Sequence, residues 1–169
     1  MKKNIFTSLM MLAMVAMTPV SFTACGGDDE DNNETTNIGV HRIDVHFDDN
    51  AAGCHVISTF YGRYPDGSFT NLYENGKQLP TDATSHIWYS YDVRDMSITT
   101  DDGCRAEAAI INMTTPNMRK LDHDVTVTVV GYINGKRTKS QVFTLPAGHT
   151  TMSAGFDTGT TNMDKEEIL

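Results

Sequence analysis

The residues equipped for chemistry are few and scattered. Six histidines (His41, His46, His55, His86, His123 and His149) invite a metal reading. None stands in an H-x-H or H-E-x-x-H arrangement that would set two imidazoles on one face at ligand spacing. His41 and His46 are an odd number of residues apart and face opposite sides of a strand. The histidines therefore read as solvated or hydrogen-bonded, and no metal or other cofactor is expected. No G-x-S-x-G elbow, glycine-rich phosphate loop or kinase signature occurs. A carboxylate pair for glycoside hydrolysis stays open, because its spacing is a three-dimensional fact. Yet Asp101-Asp102 falls in a turn and Asp48-Asp49 at a strand end, where solvated acids belong.

The best binding candidate is the aromatic run Ile87-Trp88-Tyr89-Ser90-Tyr91-Asp92-Val93. If Ile87, Tyr89, Tyr91 and Val93 face the core, the sole tryptophan points outward beside Ser90 and Asp92. An exposed indole among hydrogen-bonding groups stacks on a sugar ring or marks an interface. In the opposite register Trp88 fills the core and the tyrosine hydroxyls reach water. The second register is preferred, because large aromatics usually dominate cores. Tyr61, Tyr64 and Tyr73 lie near the adjacent hairpin and can join either arrangement.

The elements that must position these groups are strands. Ile43, Val45 and Phe47 alternate with Arg42, Asp44 and His46, the period of a strand with one buried face. Residues 54–64 are rich in Val, Ile, Thr, Phe and Tyr. Pro65-Asp66-Gly67 turns them into 68–73, and Asn75-Gly76 turns again. A strand over 87–93 and a hairpin of 96–100 with 104–113 follow. Thr115-Pro116 opens the one internal helical turn. Residues 124–133 and 136–145 flank Asn134-Gly135, a type I′ hairpin signal, and 150–156 form a last strand. Seven to nine short strands with no long helical period predict an all-β protein, a two-layer antiparallel β-sandwich over residues 38–157. Its final portion, 121–156, resembles in rhythm the last strands of immunoglobulin-like and fibronectin type III-like domains. Residues 158–169 read as a polar tail, in which Asn162 is placed to cap a short helix or the chain simply frays.

The first residues carry an address. Lys2 and Lys3 precede an apolar run from Ile5 to Val20 that ends in Thr23-Ala24-Cys25. Phe22-Thr23-Ala24-Cys25 resembles a lipobox, and Gly26-Gly27-Asp28-Asp29-Glu30-Asp31 is similar to the acidic export signal of Bacteroidetes-type surface lipoproteins. The resemblance implies a signal peptide over 1–24, lipidation of Cys25 and an outer-membrane lipoprotein exposed at the cell surface. Stable anchoring takes at least two acyl chains. Residues 25–37 then read as the lipidated cysteine and an acidic tether that cannot bury enough surface to order itself.

Losing Lys2 and Lys3 with the leader leaves 11 basic against 22 acidic residues, a net charge of −11. Such a chain repels nucleic acid and anionic lipid surfaces, so membrane contact is expected through the anchor alone. With Cys25 spent, Cys54 and Cys104 form an even pair in an oxidising compartment, which favours a disulfide. Closing that loop is worth roughly 4 kcal/mol on the chain-entropy model. Two free buried thiols are the alternative, and a catalytic thiol ranks last, since His55 beside Cys54 points to the other face. The expected function is a non-catalytic surface binding or adhesion module for a glycan or protein. An accessory subunit of a surface assembly, recruited by strand addition, comes second, and a small hydrolase last.

Overall fold

The computed structural model describes residues 37–82, 84, 86–159 and 165–168. The expected signal peptide, the lipidation site Cys25 and nearly all of the acidic tether lie outside the described residues. Among the described residues eleven strands run in the order β1 (His41–Phe47), β2 (His55–Arg63), β3 (Leu72–Glu74), β4 (Lys77–Gln78), β5 (Trp88–Ser90), β6 (Met96–Thr100), β7 (Ala106–Thr114), β8 (Val125–Ile133), β9 (Lys136–Leu145), β10 (Thr151–Asp157) and β11 (Lys165–Ile168). They form a six-stranded sheet, β4-β3-β6-β1-β8-β9, and a five-stranded sheet, β11-β10-β7-β2-β5. Every pairing is antiparallel. The predicted all-β sandwich is what forms. Three of its pairs nest, β1 with β8, β2 with β7 and β3 with β6, like one long hairpin folded over itself.

The core lies between the sheets. Ile43 and Val45 of β1, Val125, Val127 and Val129 of β8, and Phe60, Phe143 and Phe156 are all buried, each at the inward phase of its strand. Asn134 and Gly135 both have positive φ, 50° and 76°, as a type I′ turn between β8 and β9 requires. The expected helical turn is a three-residue 3-10 turn, Pro116–Met118, with Thr115 at its N-cap position. Gly62 faces inward on β2, and a Cβ there would come within 2.5 Å of the Thr70 side chain and 2.7 Å of Thr100. Only glycine lets these loops close over β2.

Two expectations are corrected. The end of the chain does not form a helix among the described residues. Lys165–Ile168 adds a strand to β10, in register from Gly155↔Lys165 to Met152↔Ile168, so the sheet extends past residue 157. Cys54 and Cys104 are not bonded; both are free and buried. The β2–β7 register explains this. Cys54 precedes His55, which pairs with Thr114, whereas Cys104 lies just before Ala106, which pairs with Arg63. The two thiols stand at opposite ends of that ladder, about 30 Å apart at ~3.3 Å per residue. A disulfide needs Cα atoms within about 7 Å.

A buried polar cluster closes the end of the sandwich near Cys104. His41 Nε2 faces the carbonyl oxygens of Asn37 (2.7 Å) and Cys104 (3.0 Å), so the proton sits on Nε2 and donates to them. Nδ1 lies 2.7 Å from the Thr158 hydroxyl oxygen, and that hydroxyl is also within 3.0 Å of the Glu107 carbonyl oxygen as a donor. Burial holds the His41 pKa below the ordinary imidazole value, partly opposed by the two carbonyls and by Asp157. Thr158 also accepts the backbone N–H of Glu107 at 2.8 Å. The Glu107 side chain, at the same phase of β7 as Ala109 and Ile111, is fully buried and neither of its oxygens has a hydrogen-bond partner. Burial pushes its pKa well above the usual carboxyl value, Asp44 adds to the shift and Arg42 opposes it.

Burial thus favours the neutral form of Glu107 in the fold, and its linkage has a definite sign. Below the unfolded carboxyl pKa, about 4.3, both states are protonated and stability is undiminished. As pH rises the unfolded chain ionises first and folding is disfavoured. The stability of Glu107→Gln, measured by urea melts from pH 3.5 to 9, should gain on wild type above that pKa by up to about 1.4 kcal/mol per pH unit. Parallel curves for the two proteins would refute the assignment.

Candidate functional site

The aromatic run resolves into the second of its two registers. β5 pairs with β2 so that Phe60 stands opposite Trp88, Thr59 opposite Tyr89 and Ser58 opposite Ser90. Phe60 is a core residue, and its ring centroid lies 5.8 Å from that of Trp88. Trp88 is therefore half-buried against the core and Ser90 is buried, while Asp92 is exposed. Trp88, Ser90 and Asp92 do not form the outward platform that the other register would give. The outward aromatics are Tyr89 and Tyr91, 46% and 70% exposed, near Ile57 at 42%. Tyr61 packs edge-on against Phe69, which stacks on His86 and carries the Arg63 guanidinium at 4.3 Å. Tyr64 and Tyr73 instead donate their hydroxyls to Asp101, at 3.2 and 2.7 Å.

Asp101 holds the turn after β6. It also accepts from the Asn71 side chain at 3.0 Å and from Thr70 at 3.2 Å. Burial raises its pKa, but the bonds from Tyr73, Asn71 and Thr70 together outweigh burial and leave it lowered. Asp101 is a structural anion, already saturated with donors.

The outer face of the six-stranded sheet carries an open polar site. The even residues of β1 point there, because Ile43, Val45 and Phe47 claim the interior. A cleft of about 370 Å³ opens over this face, lined by Asp44 and His46 of β1, Ser97 of β6, Thr128 and Val130 of β8, and the Glu74–Arg94 pair. Register sets Ser97, Asp44 and Val130 side by side across three strands. Asp44 accepts the Ser97 hydroxyl at 2.7 Å and faces Arg42 Nε at 3.1 Å. Arg94 grips Glu74 with both terminal nitrogens, one bond measuring 3.0 Å, and this bidentate bond raises the arginine's pKa. His46 Nδ1 lies 2.8 Å from Asp95. At the far side of Asp44, the Arg42 guanidinium stacks 3.9 Å over the Tyr132 ring.

The three carboxylates of the cleft, Asp44, Glu74 and Asp95, thus each have a partner, in Ser97, Arg94 and His46. Such an array presents acceptors and cations in set positions, as recognition of a hydroxyl-rich ligand requires. Among the described residues no Ser–His or Cys–His hydrogen bond occurs, and no group of three or more His, Cys, Asp or Glu is gathered for a metal ion. Burial raises the pKa of both Cys54 and Cys104, so neither thiol is primed as a thiolate. Sequence reasoning missed this cleft, although the alternation in β1 already placed Asp44 and His46 together on the polar side.

At the opposite end of the same sheet β9 is an edge strand of ten residues. Lys136, Arg137 and Lys139 decorate it, and charges of this kind discourage adventitious strand pairing.

No protein-family model matches the sequence, and no curated protein matches it. Solved structures do match in fold. A domain of unknown function, DUF4425, from Bacteroides vulgatus is 16% identical with a TM-score of 0.58, over 72% of this chain and 94% of that one. A DUF4425 family protein from Bacteroides ovatus is 18% identical with a TM-score of 0.57, over 71% and 94%. The calcium-bound form of a protein from Parabacteroides distasonis, solved by NMR, is 13% identical with a TM-score of 0.50, over 85% and 99%. At such identities the likeness is one of fold, and the calcium belongs to that protein.

The register of β5 makes a direct prediction. Trp88→Ala should destabilise the protein by about 3 kcal/mol, the low end for a large aromatic that is not fully enclosed. Tyr91→Ala should change stability by less than about 0.5 kcal/mol, as at other exposed positions. Thermal melts of the two variants decide the register: equal effects, or a larger one at Tyr91, would reverse it.

Proposed function

We propose that this protein is a non-catalytic, lipid-anchored module of the cell envelope that binds glycans on the outer face of its six-stranded sheet. The single observation that carries the reading is the open cleft over Asp44, in which Ser97, Glu74, Arg94 and His46 are already held by neighbours. A sugar hydroxyl both donates and accepts. Paired carboxylate acceptors and guanidinium or imidazole donors offer it both partners without rearrangement, so little ordering entropy is spent on binding. The address rests on Phe22-Thr23-Ala24-Cys25 and the acidic run after it, and organisms of the neighbours in fold, Bacteroides and Parabacteroides, agree with a Bacteroidetes-type export signal.

Two measurements test these halves separately. Calorimetry of the mature chain against neutral polysaccharides should find a ligand that Asp44→Ala weakens about tenfold, the equivalent of one charge-assisted hydrogen bond. Tyr91→Ala, on the other sheet, should leave that affinity unchanged. A ligand lost with Tyr91 and retained without Asp44 would move the site to the five-stranded sheet. For the anchor, mass spectrometry of the protein from its own cells should show acyl chains on Cys25 and no leader, and Cys25→Ser should leave the membrane fraction. An unmodified Cys25 would end the lipoprotein reading.

A further inference from the structure

One cross-strand row beside the cleft carries a charge opposite to that of the whole chain. Registered neighbours across the six-stranded sheet are Tyr73, Thr99, Arg42, Tyr132 and Arg137. The direct pairings Arg42↔Tyr132 and Tyr132↔Arg137 put both arginines on the outer face, flanking one tyrosine. Their Cα atoms stand two strand spacings apart, roughly 10 Å. Arg42 is fixed by its 3.9 Å stack on Tyr132 and by Asp44 at Nε, 3.1 Å away. Its Nε is buried and meets Asp44 as an ion pair without a hydrogen bond, no hydrogen bond of its terminal nitrogens is seen among the described residues, and its side chain is 38% exposed. Arg137 is exposed and likewise unpaired among the described residues.

An arginine held by stacking presents its planar fork in one orientation and loses little entropy when it binds. The geometry of that fork matches a carboxylate or a sulfate. The chain carries a net charge of −9, so its overall field repels anions. Two guanidinium groups on one face of such a chain, Arg42 paired only through Nε to Asp44 and Arg137 without a carboxylate among the described residues, form a local exception, and the exception borders the proposed glycan cleft through Asp44.

We infer that the glycan is acidic, with a carboxylate or sulfate substituent seated on the terminal nitrogens of Arg42 and on Arg137, and neutral hydroxyls reaching Asp44 one row away. This rests on the glycan reading above and names the ligand class of the same face.

Three matched probes test it on the mature chain by calorimetry at low salt: galactotetraose, tetragalacturonate and a sulfated galactan tetrasaccharide. One or both anionic probes should bind roughly tenfold or more tightly than the neutral one. Which of them does so separates carboxylate from sulfate recognition. The preference should shrink on adding salt to about 0.5 M, since partly exposed charges are screened. In the double variant Arg42→Gln/Arg137→Gln the ratio of anionic to neutral affinity should fall to about one. Arg137→Gln alone, at an exposed position without contacts to lose, should lower that ratio in a protein with an unchanged melting curve. Equal binding of neutral and anionic probes, or a preference that survives the double variant, overturns the inference while leaving the glycan cleft standing. Failure of all three probes to bind counts against both.

Discussion

One strand constrains nearly everything else. β1 is hydrogen-bonded on both sides, to β6 and to β8, at the centre of the six-stranded sheet. Its side chains obey a strict two-residue period, with His41, Ile43, Val45 and Phe47 inward and Arg42, Asp44 and His46 outward. A slip of one residue would expose three core hydrophobics and bury an arginine, an aspartate and a histidine without partners. The ladders on both sides would have to slip with it. The placement of the outer array along the sheet is therefore set by the same backbone that holds the core. Arg42, Asp44 and His46 are positioned by the burial of residues they never touch.

The polar cluster under Cys104 shows how the remaining conflicts are settled. His41 continues the inward phase of β1 beyond the hydrophobic stretch, and an imidazole there is tolerable only because Thr158 and two carbonyl oxygens satisfy both ring nitrogens. Glu107 has no such partners, and burial favours its neutral form. The two residues meet through Thr158, which bonds the His41 ring and the Glu107 backbone. The end of the sandwich is thus held by hydrogen bonds where the middle is held by packing.

How much of this was legible in the residues depends on whether one local pattern dominated. β1 and the β8–β9 hairpin were, because their alternation is clean and Asn134-Gly135 admits few turns. The aromatic run 87–93 was not, since both phases hold large or apolar side chains. Its register was decided from outside, by Phe60 on the neighbouring strand. The separation of Cys54 from Cys104 was equally invisible. Their count and compartment favoured a bond, but the β2–β7 register sets them at opposite ends of one ladder. Lys165–Ile168 reads as polar tail because its strand is made by backbone pairing with β10 rather than by a hydrophobic period. Strand order lies in long-range pairing, which alternation does not encode. As for the site, the outward set of β1 was legible in its period, whereas the approach of Glu74, Arg94 and Ser97 from β3, the β5–β6 loop and β6 was not.

The two outer faces differ in kind, and the difference follows from which strands are central. On the six-stranded sheet the central strands carry several charged or hydroxyl side chains outward that are tied to a neighbour: Asp44 to Ser97, Arg42 to Tyr132, Thr126 to Asp48. On the five-stranded sheet the outward positions mix Ile57, Tyr61 and Tyr89, with Tyr91 just beyond, with His55, Thr59 and Arg63, and the ordering contacts include rings on rings, Arg63 over Phe69 and Ser153 on Asn112. Apolar contacts are non-directional and tolerate sliding, whereas a fork on a carboxylate does not. A face of the first kind can discriminate among arrangements of hydroxyl and anionic groups; a face of the second kind registers mainly area. The proposed recognition of hydroxyl and anionic groups therefore falls to the sheet built on β1, where the backbone ladders on either side hold the register.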